Sequence, residues 1–185
     1  MSLRISLELT DRDLKFFRDA LKKSRLAMQY ADEAEIIDAI TTVLAEIKNS
    51  GPLPDFINRR IPDLEAMTDL FHDEEWQLPH EDREQLLATF IYFGDPEDLI
   101  PDNIPGIGYL DDVIMIELLL REMHHVREAY DDFCNFRRDY DDRSGADQDR
   151  KIRENIIAGK RRQLHARMKR RKIADKTLQK QAVVW

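Results

Sequence analysis

Apolar positions in this chain recur at three- and four-residue intervals over most of its length, and the exceptions mark its turns. At the start, Leu3, Ile5, Leu7 and Leu9 alternate with Arg4, Ser6, Glu8 and Thr10. A period of two predicts a short strand, which needs a partner because one strand cannot satisfy its own backbone. Thr10-Asp11-Arg12-Asp13 then has the form of a capping box with Asp at its fourth position, and Leu14, Phe17, Leu21 and Met28 continue at helical spacing. A second helix is expected over residues 32–49, with Ile36, Ile37, Ile40, Val43, Leu44 and Ile47 on one side. Gly51-Pro52-Leu53-Pro54 closes it, because proline has no amide to donate and glycine tolerates the cap conformation. Pro62 and Asp63 start a third helix carrying Leu64, Met67, Leu70 and Phe71. After Pro79 a fourth runs over 81–93 with Leu86, Leu87, Phe90 and Ile91 inward. A fifth is expected from Asp112 to Tyr140, where Val113, Ile116, Leu119, Leu120, Met123, Val126, Tyr130 and Phe133 make a wide stripe. At 1.5 Å per residue it would be roughly 40 Å long. The sixth helix is basic and keeps only a thin stripe of Ile152, Ile156, Ile157, Leu164 and Met168. The pattern as a whole predicts a mainly α fold: a helical bundle of five to six helices with a short N-terminal strand and a basic C-terminal helix.

Composition supports that reading. Of 185 residues 42% are hydrophobic, enough for a core, and 36% are charged, which favours solvent-exposed helices. Six glycines and seven prolines are too few for a turn-rich β fold. The apolar run from Val113 to Leu120 contains Glu117 and ends at Arg121, short of the roughly 20 residues a spanning helix needs, so no transmembrane helix is expected. The first residues lack the pattern of a secretory signal, and Cys134 is the sole cysteine, which excludes an intramolecular disulfide. The expected setting is cytoplasmic, peripheral to a membrane at most.

Charge divides the chain. Residues 150–185 carry 13 Lys and Arg against Glu154 and Asp175, or +11, and 1–149 carry the remaining 16 basic and 35 acidic residues, or −19. This suggests an acidic helical domain over 1–142, a linker over 143–149 and a basic helical tail over 150–185. The cations Lys160, Arg161, Arg162, Arg167, Lys169, Arg170, Arg171 and Lys172 are the candidate anion-binding residues. They fit self-association or a protein partner, with the tail docking on the acidic body in one protomer or across two. They also fit nucleic acid, through counterion release, or an acidic membrane surface. No aromatic residue interleaves the run, which argues against a platform for stacking single strands.

Between the fourth and fifth helices lies Asp98-Leu99-Ile100-Pro101-Asp102-Asn103-Ile104-Pro105-Gly106-Ile107-Gly108-Tyr109-Leu110-Asp111-Asp112. This segment resembles the signature of the YkvA-like family, a domain of unknown function, matching it at Asp98, Pro101, Asp102, Pro105, Gly108, Asp111 and Asp112. The resemblance covers residues 81–126 and implies a compact helical hairpin, with no reaction attached. The carboxylates themselves allow two readings. Asp98, Asp102, Asp111 and Asp112 can supply oxygen ligands for Mg²⁺ or Ca²⁺, as a divalent-metal-dependent enzyme would require. Alternatively, each does local work: capping, turning the chain, or placing negative charge at a helix N-terminus.

The remaining candidates are thinner. Glu122-x-x-His125 has the spacing used in carboxylate-bridged di-iron bundles, but those need two copies and the chain has one. Glu117 with Arg121, and His124 with Glu128, read as i,i+4 surface pairs. Cys134 lies among Asp131, Asp132 and Asp139, which oppose a reactive thiolate. No phosphate loop, nucleophile elbow or zinc-finger spacing is present, so the sequence leans away from an enzyme and requires no cofactor.

Overall fold

The computed structural model describes residues 8–27, 32–49, 55–93, 100, 110–144 and 149–182. Eight helical segments lie among them: α1 (Asp11–Ala27), α2 (Glu33–Asn49), α3 (Asp55–Asn58), α4 (Ile61–His72), α5 (His80–Phe93), α6 (Leu110–Glu122), α7 (His124–Ser144) and α8 (Arg150–Ala182). Seven are longer than one turn. The mainly α bundle is as the periodicity predicted, but the count of five to six is too low for two local reasons. One is α3, a single turn after Pro54 that is too short to carry a period. The other is the expected fifth helix, which is two helices meeting at Met123. There the Val126 amide reaches the Met123 carbonyl at 2.9 Å while the Arg127 amide reaches the same oxygen at 3.0 Å. A three-residue step thus competes with the four-residue one. The strand expected over residues 3–9 falls mostly on residues 1–7, outside the described residues; none occurs among the described ones.

Local chemistry explains the helix starts. The Asp13 carboxylate accepts from the Thr10 amide at 2.9 Å and from the Thr10 hydroxyl at 2.7 Å, one half of the anticipated capping box. The Asp32 carboxylate accepts from the Ala34 amide at 2.9 Å, and Asp149 does the same for Lys151 at 2.8 Å.

The chain divides into two compact units, Met1–Asp63 with Glu84–Glu117, and Leu64–Arg83 with Leu118–Trp185. In the first, Phe17, Ile36, Ile40, Leu44, Ile57, Leu86, Leu87, Phe90, Met115 and Ile116 are buried. Five consecutive residues of α5, Leu86 to Phe90, are buried all round the helix, and the Thr89 hydroxyl among them donates to the Gln85 carbonyl at 3.1 Å. Arg60 pairs with Asp63 at 3.0 Å and also with Glu117.

The second unit is built round Trp76, which is fully buried. Its ring meets Phe133 at 5.2 Å, Tyr130 at 5.7 Å and His165 edge-on at 4.4 Å between centroids. A tight turn presents it. The Asp73 carboxylate accepts from the Glu75 amide at 3.0 Å and the Trp76 amide at 2.9 Å, and Gln77 takes φ 51° as the chain reverses towards α5. Arg83 closes the turn, its guanidinium 3.9 Å from the Phe71 ring centroid.

Candidate functional site

The candidate site is the basic helix α8 with the surface of the second unit that receives it. Ile157, Leu164 and Met168 are buried on one side of α8, and Val126, Ala129 and Phe133 are buried on α7. The two helices run antiparallel. Arg153 reaches Asp141, Lys160 stands 4.9 Å from the Phe136 ring centroid, Arg167 meets Asp132 and Arg171 meets Glu128, so rising numbers on α8 meet falling numbers on α7.

A charged network flanks this seam. Arg137 pairs with Asp73 at 2.9 Å and Glu75 at 3.0 Å, and Arg153 joins Glu75 to Asp141, the latter at 2.7 Å. Arg161 donates to the Glu75 carbonyl at 3.0 Å, and the Tyr130 hydroxyl donates to Asp73 at 3.1 Å. Burial pushes the Asp73 carboxyl up, but hydrogen bonds from Arg137, the Trp76 amide and Tyr130 outweigh it and hold the group below its usual range. Arg153 likewise holds Glu75 and Asp141 down as anions. Tyr130 is driven upward, first by burial and then by Cys134 and Asp73, so it remains a hydroxyl donor.

These contacts sort the eight candidate cations. Lys160, Arg161, Arg167, Arg171 and Lys172 are engaged inside the unit, Lys172 with Asp82, whose side chain is 4% exposed. Arg162, Lys169 and Arg170 are exposed and meet no partner among the described residues. Exposed ion pairs such as Arg167–Asp132 contribute about 0–1 kcal/mol each. The apolar stripe and the better-buried pair of Lys172 with Asp82 therefore set how α8 sits.

The acidic cluster is only partly in view. Asp98 and Asp102 lie outside the described residues. Asp111, at the start of α6, is buried and accepts from the Ile100 amide at 3.1 Å, so one of its oxygens ties Ile100 to the start of the helix. Asp112 is half-buried beside it. The Cys134 thiol is raised, first by burial, and stays protonated beside Arg137 at 3.8 Å.

Several pairings have no signal in the sequence. Glu117 meets Arg60 and Glu128 meets Arg171, each across long stretches of chain instead of across one helical turn. His124 and His125 converge with Asp175 of α8, 2.7 Å from His125 Nε2 to the carboxylate. The spacing of Glu122 and His125 singled out one of these histidines, but nothing local pointed to a partner fifty residues away.

The family model described as a protein of unknown function, DUF1232, matches residues 85–118, which hold most of α5, most of α6 and the Asp/Pro/Gly segment between them. That is a minor part of the chain and leaves α7 and α8 outside it. No curated protein and no solved structure matches the chain. Among the described residues no helix is long and apolar enough to cross a membrane.

Proposed function

We propose that the chain is a helical interaction protein whose C-terminal helix is seated by its inner face and engages an anionic partner with its outer one. The supporting observation is the division of labour round α8. Five candidate cations are spent on internal contacts, while Arg162, Lys169 and Arg170 face solvent with Lys151 and Lys176. At 3.6 residues per turn, Lys151, Arg162, Lys169 and Lys176 fall within about 40° of one another, a row roughly 38 Å long. Both acids of the helix lie elsewhere on it: Glu154 pairs with Arg150, and Asp175 turns to the histidines. A single-sign row of this length suits an array of phosphates better than one compact ligand.

The acidic remainder of the chain opposes close approach of a polyanion, which makes binding weak and salt-sensitive. A second reading is self-association through the same face. It is favoured by Ile152, Ile156 and Ile173, which are exposed between the cations. A cytoplasmic setting and the YkvA-like identity of the central segment belong to the same proposal; neither supplies a reaction.

The test compares the full chain with a variant carrying Lys151→Gln, Arg162→Gln, Lys169→Gln and Lys176→Gln, using duplex DNA, phosphatidylserine vesicles and light scattering. Binding of one phosphate-bearing probe by the parent is expected. With DNA, log affinity should fall against log salt with a slope of about −3 to −4, and the variant should lose it. Loss of a dimer in the variant instead would establish the second reading. If parent and variant behave alike in all three assays, the outward face is only a solvated surface and the proposal fails.

A further inference from the structure

We propose that His124, His125 and Asp175 form a binding site for one divalent transition-metal ion of the zinc class, fastening the C-terminal part of α8 to the start of α7. One donor atom from each residue lies within 4.8 Å of the other two. His125 Nε2 is 2.7 Å and His124 Nε2 3.7 Å from the same Asp175 oxygen, Oδ2. Tetrahedral ligands at ordinary zinc bond lengths stand about 3.4 Å apart, so the shorter gap needs to widen by about 0.7 Å and the longer to close by about 0.3 Å. Asp175 is 45% exposed near the end of a long helix and is free to make that adjustment.

Hydrogen bonding at His124 favours a cation over a simple ion pair. Its Nδ1 lies 2.7 Å from the Arg121 carbonyl, which can only accept, so Nδ1 carries the proton. In the neutral ring Nε2 then presents a lone pair towards a carboxylate oxygen, two acceptors facing each other. At 3.7 Å the separation leaves room for a cation, which would satisfy both. The two imidazole rings stand 3.8 Å apart between centroids, where two positive charges would repel. A metal leaves both rings neutral and satisfies both Nε2 lone pairs, with the Arg121 carbonyl holding the first ring in its ligating tautomer. His125 Nδ1 is buried with no partner among the described residues in either tautomer and does not discriminate.

Adjacent residues of a regular helix point 100° apart, yet at the start of α7 the His124 and His125 rings stand 3.8 Å apart between centroids, with both Nε2 atoms towards Asp175. Two imidazoles and one carboxylate select Zn²⁺, Co²⁺ or Ni²⁺ over Mg²⁺ and Ca²⁺, which prefer oxygen throughout. His124 and Asp175 are 47% and 45% exposed, so the fourth position opens to water.

Titration of the untagged full chain with Zn²⁺ by calorimetry, and with Co²⁺ by visible absorption, tests the site. One ion per chain is expected, with a four-coordinate cobalt spectrum and a melting temperature that rises with zinc. His124→Ala, His125→Ala and Asp175→Asn should each weaken binding at least about tenfold, while Cys134→Ser should not. Asp175→Asn keeps side-chain size and helix register, and its helical dichroism should match the parent, so its loss cannot be put down to misfolding. Absence of zinc and cobalt binding by the parent overturns the proposal. So does binding that survives unchanged in Asp175→Asn and His124→Ala.

Discussion

At the scale of single residues, the second unit concentrates its electrostatic demands on a few side chains. Asp73 receives two amides, the Tyr130 hydroxyl and the Arg137 guanidinium, so the turn that presents Trp76 and the pairing that receives α7 share one carboxylate. His165 stands at the opposite extreme. Its ring packs edge-on against Trp76, and burial, aided by the Arg161 charge, lowers its affinity for a proton, with Asp82 and the Trp76 backbone pulling the other way. The folded protein therefore binds that proton less readily than the unfolded chain, whose histidine titrates at about 6.5. Stability from neutral His165 is fully present above this value and declines as pH falls through it towards the lower folded-state value. Asp73, Glu75 and Asp141 are shifted downward as well, but they lose their contribution only in the lower window where unfolded carboxylates protonate, near about 4. The melting temperature should fall between pH 7 and pH 5.5 (about one unit below the free histidine value). His165→Gln should flatten that part of the profile and keep the acid limb below it. Thermal melts of both proteins across the range would check this; an unchanged slope in the variant would assign it elsewhere.

Elements are where local chemistry and long-range packing part company. α8 runs 33 residues with Gly159 in its interior, and a Cβ built there meets nothing within 4 Å. Glycine in a helix costs about 1 kcal/mol relative to alanine, chiefly through backbone entropy. Gly159→Ala should accordingly stabilise the chain by up to that amount and raise the melting temperature by roughly 2–4 °C, measurable by circular dichroism. The same helix explains what the sequence made legible. Leu164 and Met168 sit at a spacing that one strip of helix must bury, and Thr10 with Asp13 forms a contact three residues long, so both could be read without the fold. Helix breaks were harder. α3 is one turn, and at Met123 the apolar stripe continues straight through a change of hydrogen-bond step, so periodicity carries no trace of the join. Charge pairing was harder again. Glu117 and Arg121 obey the one-turn rule, yet Glu117 meets Arg60, because an arginine from another element competes successfully with a neighbour on the same helix. The candidate metal ligands share this difficulty: His125 and Asp175 become neighbours only through the antiparallel course of α7 and α8.

For the molecule as a whole, the charge division at residue 150 and the packing of the second unit give opposite expectations for the basic segment. Charge alone suggests an appendage, +11 joined to −19. Yet Ile157, Leu164 and Met168 are buried to between 2% and 4% exposure, and His165 covers one edge of Trp76, the centre of that unit. Each fully buried aliphatic or methionine side chain contributes about 1.5–3 kcal/mol. Three of them amount to a large part of the roughly 5–15 kcal/mol that a typical domain has available. Ion pairing adds little at exposed sites, so high salt should not release α8, whereas deleting it should undo the unit. A chain ending at Gln148 is expected to melt broadly or aggregate, with Trp76 fluorescence shifted to the red as its ring meets water. The full chain should keep a sharp transition and a buried tryptophan signal in strong salt. Circular dichroism and fluorescence on both, at low and high ionic strength, separate the two expectations. A truncated chain that melts as sharply as the parent, at the same temperature, would mean that α8 contributes charge and not core.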